Sequence, residues 1–130
     1  MRSLVIVLAA VALLAVACGK PSPKVYSEAR SRACLLAQDV KVEPPPRSDF
    51  VASTALGGAF RVRLHENSVT ISFGDTLANA DSLDHVYRTV HAKNVGIDDV
   101  LRTQGNAVML WHAHPSDGDL AIVQGCLKTQ

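Results

Sequence analysis

Aromatic residues are scarce, at 5% of the 130 residues, with one Trp, two Tyr and three Phe. That excludes a stacking platform for single-stranded nucleic acid, which lays successive bases on aromatic faces. A charge excess is missing as well: 13 basic and 12 acidic side chains leave a formal net charge of +1. A nucleic-acid partner needs a basic excess that this chain does not carry. Beyond the N-terminal segment no apolar run approaches the ~20 residues of a membrane-spanning helix. Cys-x-x-Cys is absent, which removes the thioredoxin-type redox motif. So are G-x-S-x-G, H-E-x-x-H and a phosphate-cradling glycine loop. With no positioned nucleophile and base there is no reaction to assign, and the chain reads as a non-enzyme of one small domain.

What is present is concentrated at the start. Residues 4–17, LVIVLAAVALLAVA, are apolar without a break, with Arg2 before them and Cys18 after. A positive start, a short apolar run and small residues at its end make a secretory signal peptide. Fourteen residues rise only about 21 Å as a helix, short of the roughly 30 Å hydrocarbon core, so the segment is an export signal and not a span.

The signal ends in Ala15-Val16-Ala17-Cys18-Gly19. This resembles the lipobox of bacterial lipoproteins, a small residue followed by an obligatory cysteine, with Ala15 where the family usually has Leu. The resemblance implies a diacylglyceryl group on the Cys18 thiol, cleavage before Cys18 and acylation of the new amino group. It implies no cofactor beyond that covalent lipid. The same Ala15-Val16-Ala17 also fits the general signal peptidase, which would cut the same bond and leave an exported chain without lipid. One acyl chain holds a protein to a membrane marginally, whereas two or three hold it firmly. Residues 18–25 then read as the lipidated cysteine and a polar, proline-interrupted tether. Gly19 is not the Asp that retains such proteins at the inner membrane, so the resemblance points to the outer membrane, periplasmic side, if the cell is Gram-negative.

Two further cysteines, Cys34 and Cys126, remain. A leftover pair in an exported chain reads as a disulfide. Closing a loop of about ninety residues constrains the unfolded chain by roughly 4–5 kcal/mol in the entropy model. Residues 19–130 are about 41% hydrophobic, against 48% for the whole chain. So lean a core gives such a staple a purpose.

The domain at 26–130 reads as α+β. Apolar residues at Val25, Ala29, Ala33, Leu36 and Val40 predict a helix over 26–38, stopped by the proline-rich connector at 41–49. Gly57-Gly58 reads as a hinge. Alternation predicts strands over 60–64 and 69–73 joined by a hairpin turn. Leu77, Ala80, Leu83, Tyr87 and Val90 predict an amphipathic helix ended by Asn94-Val95-Gly96. A strand over 97–102, a turn at 104–106 and a strand over 107–111 follow. Ser116-x-x-Asp119 then caps a last helix through Leu127. The order ββαββα predicts a four-stranded antiparallel sheet with its helices on one face, a permuted ferredoxin-like sandwich.

Two stretches suggest function. Arg61 and Arg63 point away from the apolar side of their strand. With Met109 and Trp111, or alternatively with Val108, Leu110 and His112, they would form an open binding face for an envelope protein or an anionic glycan. His112 and His114 at i and i+2 could share a metal, the alternative function being a periplasmic metal-binding protein or enzyme. The principal expectation is a membrane-anchored lipoprotein whose domain is a small binding or structural module.

Overall fold

A strand buried on both faces needs a cover on each side, and two strands here are of that kind. The computed structural model describes residues 23–91 and 96–130. Within them, β3 (Ser68–Phe73) is buried at every position, and β5 (Ala107–Trp111) at all but the half-buried Leu110. They pair antiparallel at the centre of a five-stranded sheet. Outside them lie β1 (Lys41–Glu43) and β2 (Ala59–Arg63) on one flank and β4 (Leu101–Gln104) on the other, giving the order β1-β2-β3-β5-β4 with every neighbour antiparallel.

Successive side chains of a strand point to opposite faces, so each central strand serves two cores. Phe60, Val62, Val69, Ile71, Met109 and Trp111 share one face. That face is covered by α1 (Glu28–Ala37) and α5 (Asp117–Gly125) through Leu35, Val123, Cys126 and Leu127. Val108 and Leu101 lie on the other face, under α2 (Phe50–Ser53) and α3 (Leu77–Val90), with Val51, Ala80, Leu83 and Tyr87 packed on them. A single turn, α4 (Ile97–Val100), adds Ile97 to that second core.

The α+β class, the hairpin and the capped last helix form as expected. Thr76 caps α3 and Ser116 caps α5, each accepting from the backbone N–H three residues on. The four-stranded, one-faced arrangement does not form. A fifth strand, β1, is cut from the connector at 41–49, because Glu43 finds opposite charges on β2, in Arg61 and Arg63. The helices lie on both faces, because the last strand is apolar on both sides and α3 and α5 each take one. The strand expected over 97–102 begins as α4. Gly96 at φ 115° turns the chain, and Asp98 and Asp99 suit a helix start better than a strand. The expected end of the preceding helix, at 94–96, lies largely outside the described residues, as do the export signal and Cys18.

The first helix is rotated from its expected face. Ser31 and Leu35 are buried in place of Ala33 and Leu36. The rotation brings Cys34 onto Cys126, with Cα atoms 5.4 Å apart and the disulfide closed over 92 residues. It also aims the Ser31 hydroxyl at the Lys128 N–H, 3.0 Å away. Arg32 lies over the Phe60 ring at 5.4 Å, adding a cation–π contact to the same interface.

Asn106, in the β4–β5 turn, joins three segments from a site 1% exposed. Its Oδ1 accepts from the Tyr26 N–H at 2.5 Å, and its Nδ2 donates to the carbonyls of Tyr26 (3.0 Å) and Gly74 (2.7 Å). Tyr26 is thereby pulled out of the first helix, which starts later than expected, and bridges to Thr129 instead. The adjacent Gly105, at φ 55°, passes so close to Lys24 that a Cβ would sit 2.0 Å from its carbonyl oxygen. Gly57 is no hinge either, since its N–H donates to the Phe73 carbonyl at 2.8 Å and a Cβ there would meet the Gly74 oxygen at 2.6 Å.

Two outcomes follow. Asn106→Ala leaves three buried backbone groups without partners and lowers unfolding free energy in urea by about 3 kcal/mol, while Gln124→Ala on exposed α5 surface changes it by less than about 0.5. The double variant Cys34→Ala/Cys126→Ala loses roughly 2–5 kcal/mol by the same measurement.

Candidate functional site: a cleft on one face of the sheet

The face carrying Arg61 and Arg63 is incompletely covered. α2 is one turn long, and between it and the C-terminal half of α3 a cleft of about 710 Å³ opens onto the sheet. Its floor is made by Arg61, Ser68, Thr70, Leu110 and His112. These residues are neighbours because the register pairs Arg61 with Thr70 and Thr70 with Leu110, placing one side chain from each strand on the same face. One wall is Pro46, Asp49 and Phe50; the other is Tyr87, Val90 and His91 of the α3 end, continued by Ile97 and Val100 of α4.

Asp49 is the hinge-pin of the first wall. Its Oδ1 accepts from the Ala52 N–H at 2.9 Å, capping α2, and its Oδ2 accepts from the Tyr87 hydroxyl at 3.0 Å. Tyr87 has one proton to give, so the Ser72 hydroxyl, 3.1 Å away, donates to the Tyr87 oxygen in turn. Burial pushes the Tyr87 phenol above its ordinary value, and the neighbouring Asp49 charge adds to that. This chain of bonds joins α2, α3 and β3 beneath the cleft. The far wall is fixed by Arg88, which bonds Asp84 at 2.6 Å and Asp98 of α4. His114 closes one end, its Nδ1 lying 2.6 Å from Asp99.

The cationic flank lies beside the floor. Glu43 accepts from Arg63 at 2.6 Å and lies 3.9 Å from the Arg61 Nε and 3.6 Å from the Lys41 ammonium. The Arg63 bond holds the Glu43 carboxyl below its ordinary value, with the charges of all three cations helping. One carboxylate thus stands against three cations. Arg61 is the innermost of them, a quarter exposed, with its Nη2 donating to Ser68 Oγ at 3.0 Å.

Of the residues singled out from the sequence, the structure unites Arg61, Arg63 and His112 on one face, and His112 and His114 line the cleft. Trp111 is the correction. One position along from His112, its side chain belongs to the opposite core, is 2% exposed and cannot form a surface with the arginines. Val108, Leu110 and His112 take that face instead. Among the described residues no group of three His, Cys, Asp or Glu is placed to hold a metal ion, and His114 is engaged by Asp99. No described helix is long and apolar enough to cross a membrane. Sequence reasoning passed over Asp49 as a site residue. The signal for Asp49 was available, a capping aspartate before an apolar pair within a supposed connector.

The raised Tyr87 value carries a sign. A phenol that ionises later in the folded state stabilises it fully below the unfolded value of about 10, and loses that contribution as pH rises through the folded value. Thermal stability therefore falls above about pH 10, and Tyr87→Phe, though less stable at neutral pH, has the flatter alkaline limb in a melting series.

Comparison of the chain with known protein families, curated proteins and solved structures finds no match.

Proposed function

We propose that this protein is a lipid-anchored binding module of the bacterial cell envelope. The acyl chains sit on Cys18, the polar segment to Val25 spaces the domain from the membrane, and the cleft beside Arg61 receives the ligand. The module acts by binding and not by turnover. It stands on the periplasmic side of the outer membrane where the cell has one, since Gly19 follows the cysteine.

The observation that carries this reading is the division of the three cysteines. Cys34 and Cys126 are within one bridge of each other, at opposite ends of the domain. Such a bridge fits an oxidising compartment outside the cytosol. The pair accounts for two thiols, and the third is Cys18, placed directly after Ala15-Val16-Ala17. A lipid on Cys18 leaves no thiol over. The docking of Lys24 and Tyr26 on the β4–β5 turn gives the tether a fixed point of entry into the domain.

Growth with an alkyne analogue of palmitate, followed by coupling to a fluorophore, checks the anchor. The wild-type chain takes the label and Cys18→Ala does not. Equal labelling of both, or of neither, contradicts it.

A further inference from the structure

Resting on the reading of the domain as a binding module, we propose that the cleft takes a small organic anion with an apolar body, a monocarboxylate received by Arg61. Its volume of about 710 Å³ falls in the 300–1,000 Å³ typical of small-ligand sites. The charge is arranged for an anion at one end. Arg61, Arg63 and Lys41 share the single Glu43 carboxylate. The carboxylates that line the cleft are committed elsewhere, Asp49 to Tyr87 and the α2 backbone, Asp99 to His114.

Arg61 is the receiving group. Ser68 holds its Nη2, which fixes the planar fork over the floor, and partial burial removes it from the screening that weakens a surface charge. A guanidinium so held pairs well with a carboxylate through charge-assisted bonds. Away from that end the cleft turns apolar. Leu110 lies on the floor, and Val90 and Phe50 stand at the two rims, 48% and 54% exposed. Large apolar side chains facing one another across a cleft mark a surface that an apolar body would cover. The Trp111 indole lies in the opposite core and takes no part in this face.

Two sources share this chemistry, a free fatty acid and the C-terminus of an apolar peptide, and one titration separates them. The full chain is expressed with Cys18→Ser, which keeps the export signal and removes the acylated thiol. The isotope-labelled product is titrated with octanoate, with its neutral analogue octanamide and with N-acetyl-leucyl-leucine, followed by amide shifts. We expect saturable shifts at Arg61, Thr70 and Leu110 with octanoate, the dipeptide or both, whichever binds tighter naming the source. Octanamide should bind about tenfold more weakly than octanoate, and Arg61→Gln should weaken the anion by a similar factor. Val90→Asp, on an exposed rim where folding is not at stake, should weaken it as well, while Arg32→Gln on the opposite face should not. Octanamide binding as tightly as octanoate, affinities unchanged in both cleft variants, shifts confined to α1 and α5, or no saturation with either anion overturns the proposal. Palmitate labelling is independent of all these readouts, so a chain that labels but binds neither anion overturns the ligand class and leaves the anchor standing.

Discussion

The central strands β3 and β5 are buried on both faces, and the rest of the domain answers that constraint. A one-sided sheet would leave either Phe60 and Val69 or Val108 and Leu101 in water. Each side must therefore be covered, and a chain of this size has little to cover it with. One side takes α1 and α5, drawn from opposite ends of the sequence, and a cover built from two chain ends is the easiest kind to lose. The Cys34–Cys126 bridge and the Asn106 side chain both act on that weakness. One joins the two covering helices, and the other ties the entering chain to the sheet.

The opposite side is covered by local means and less completely. α2 is a single turn, held by Asp49 to Tyr87, and α3 packs through Ala80, Leu83 and Tyr87 while Val90 is left exposed. The gap between them is the cleft. The same shortage of covering residues that calls for a disulfide on one face thus leaves a concave, partly charged surface on the other. Glu43 links the two themes: it draws β1 into the sheet as a fifth strand, and it sets the cationic flank beside Arg61.

Much of this was legible in the sequence where the signal is local. Alternation from Phe60 to Phe73 fixes the hairpin, and Ser116 marks where the last helix begins, whereas the start of α3 was open between Thr76 and Asp81. Cys34 and Cys126 were readable as a pair once Cys18 is set aside, and the structure joins them. What was not legible depends on partners distant in sequence. The rotation of α1, which buries Ser31 in place of Ala33, is set by the bridge and by Lys128. The side taken by Trp111 follows from the register against Val69, which no pattern within a uniformly apolar strand can reveal. The same uniformity concealed that β5 serves two cores and that α3 and α5 take opposite faces. A proline-rich stretch reads as a connector, and the strand in it appears only when Arg61 and Arg63 are set across from it.

A thin domain closed by a bridge and carried on an acylated cysteine is one account and has one direct test. The protein is extracted from its own membranes without reductant, and its intact mass and N-terminal peptide are measured. The account predicts a chain beginning at Cys18, carrying the mass of its acyl groups, with Cys34 and Cys126 joined. An N-terminal peptide with Cys18 unmodified, or free thiols at Cys34 and Cys126, contradicts it.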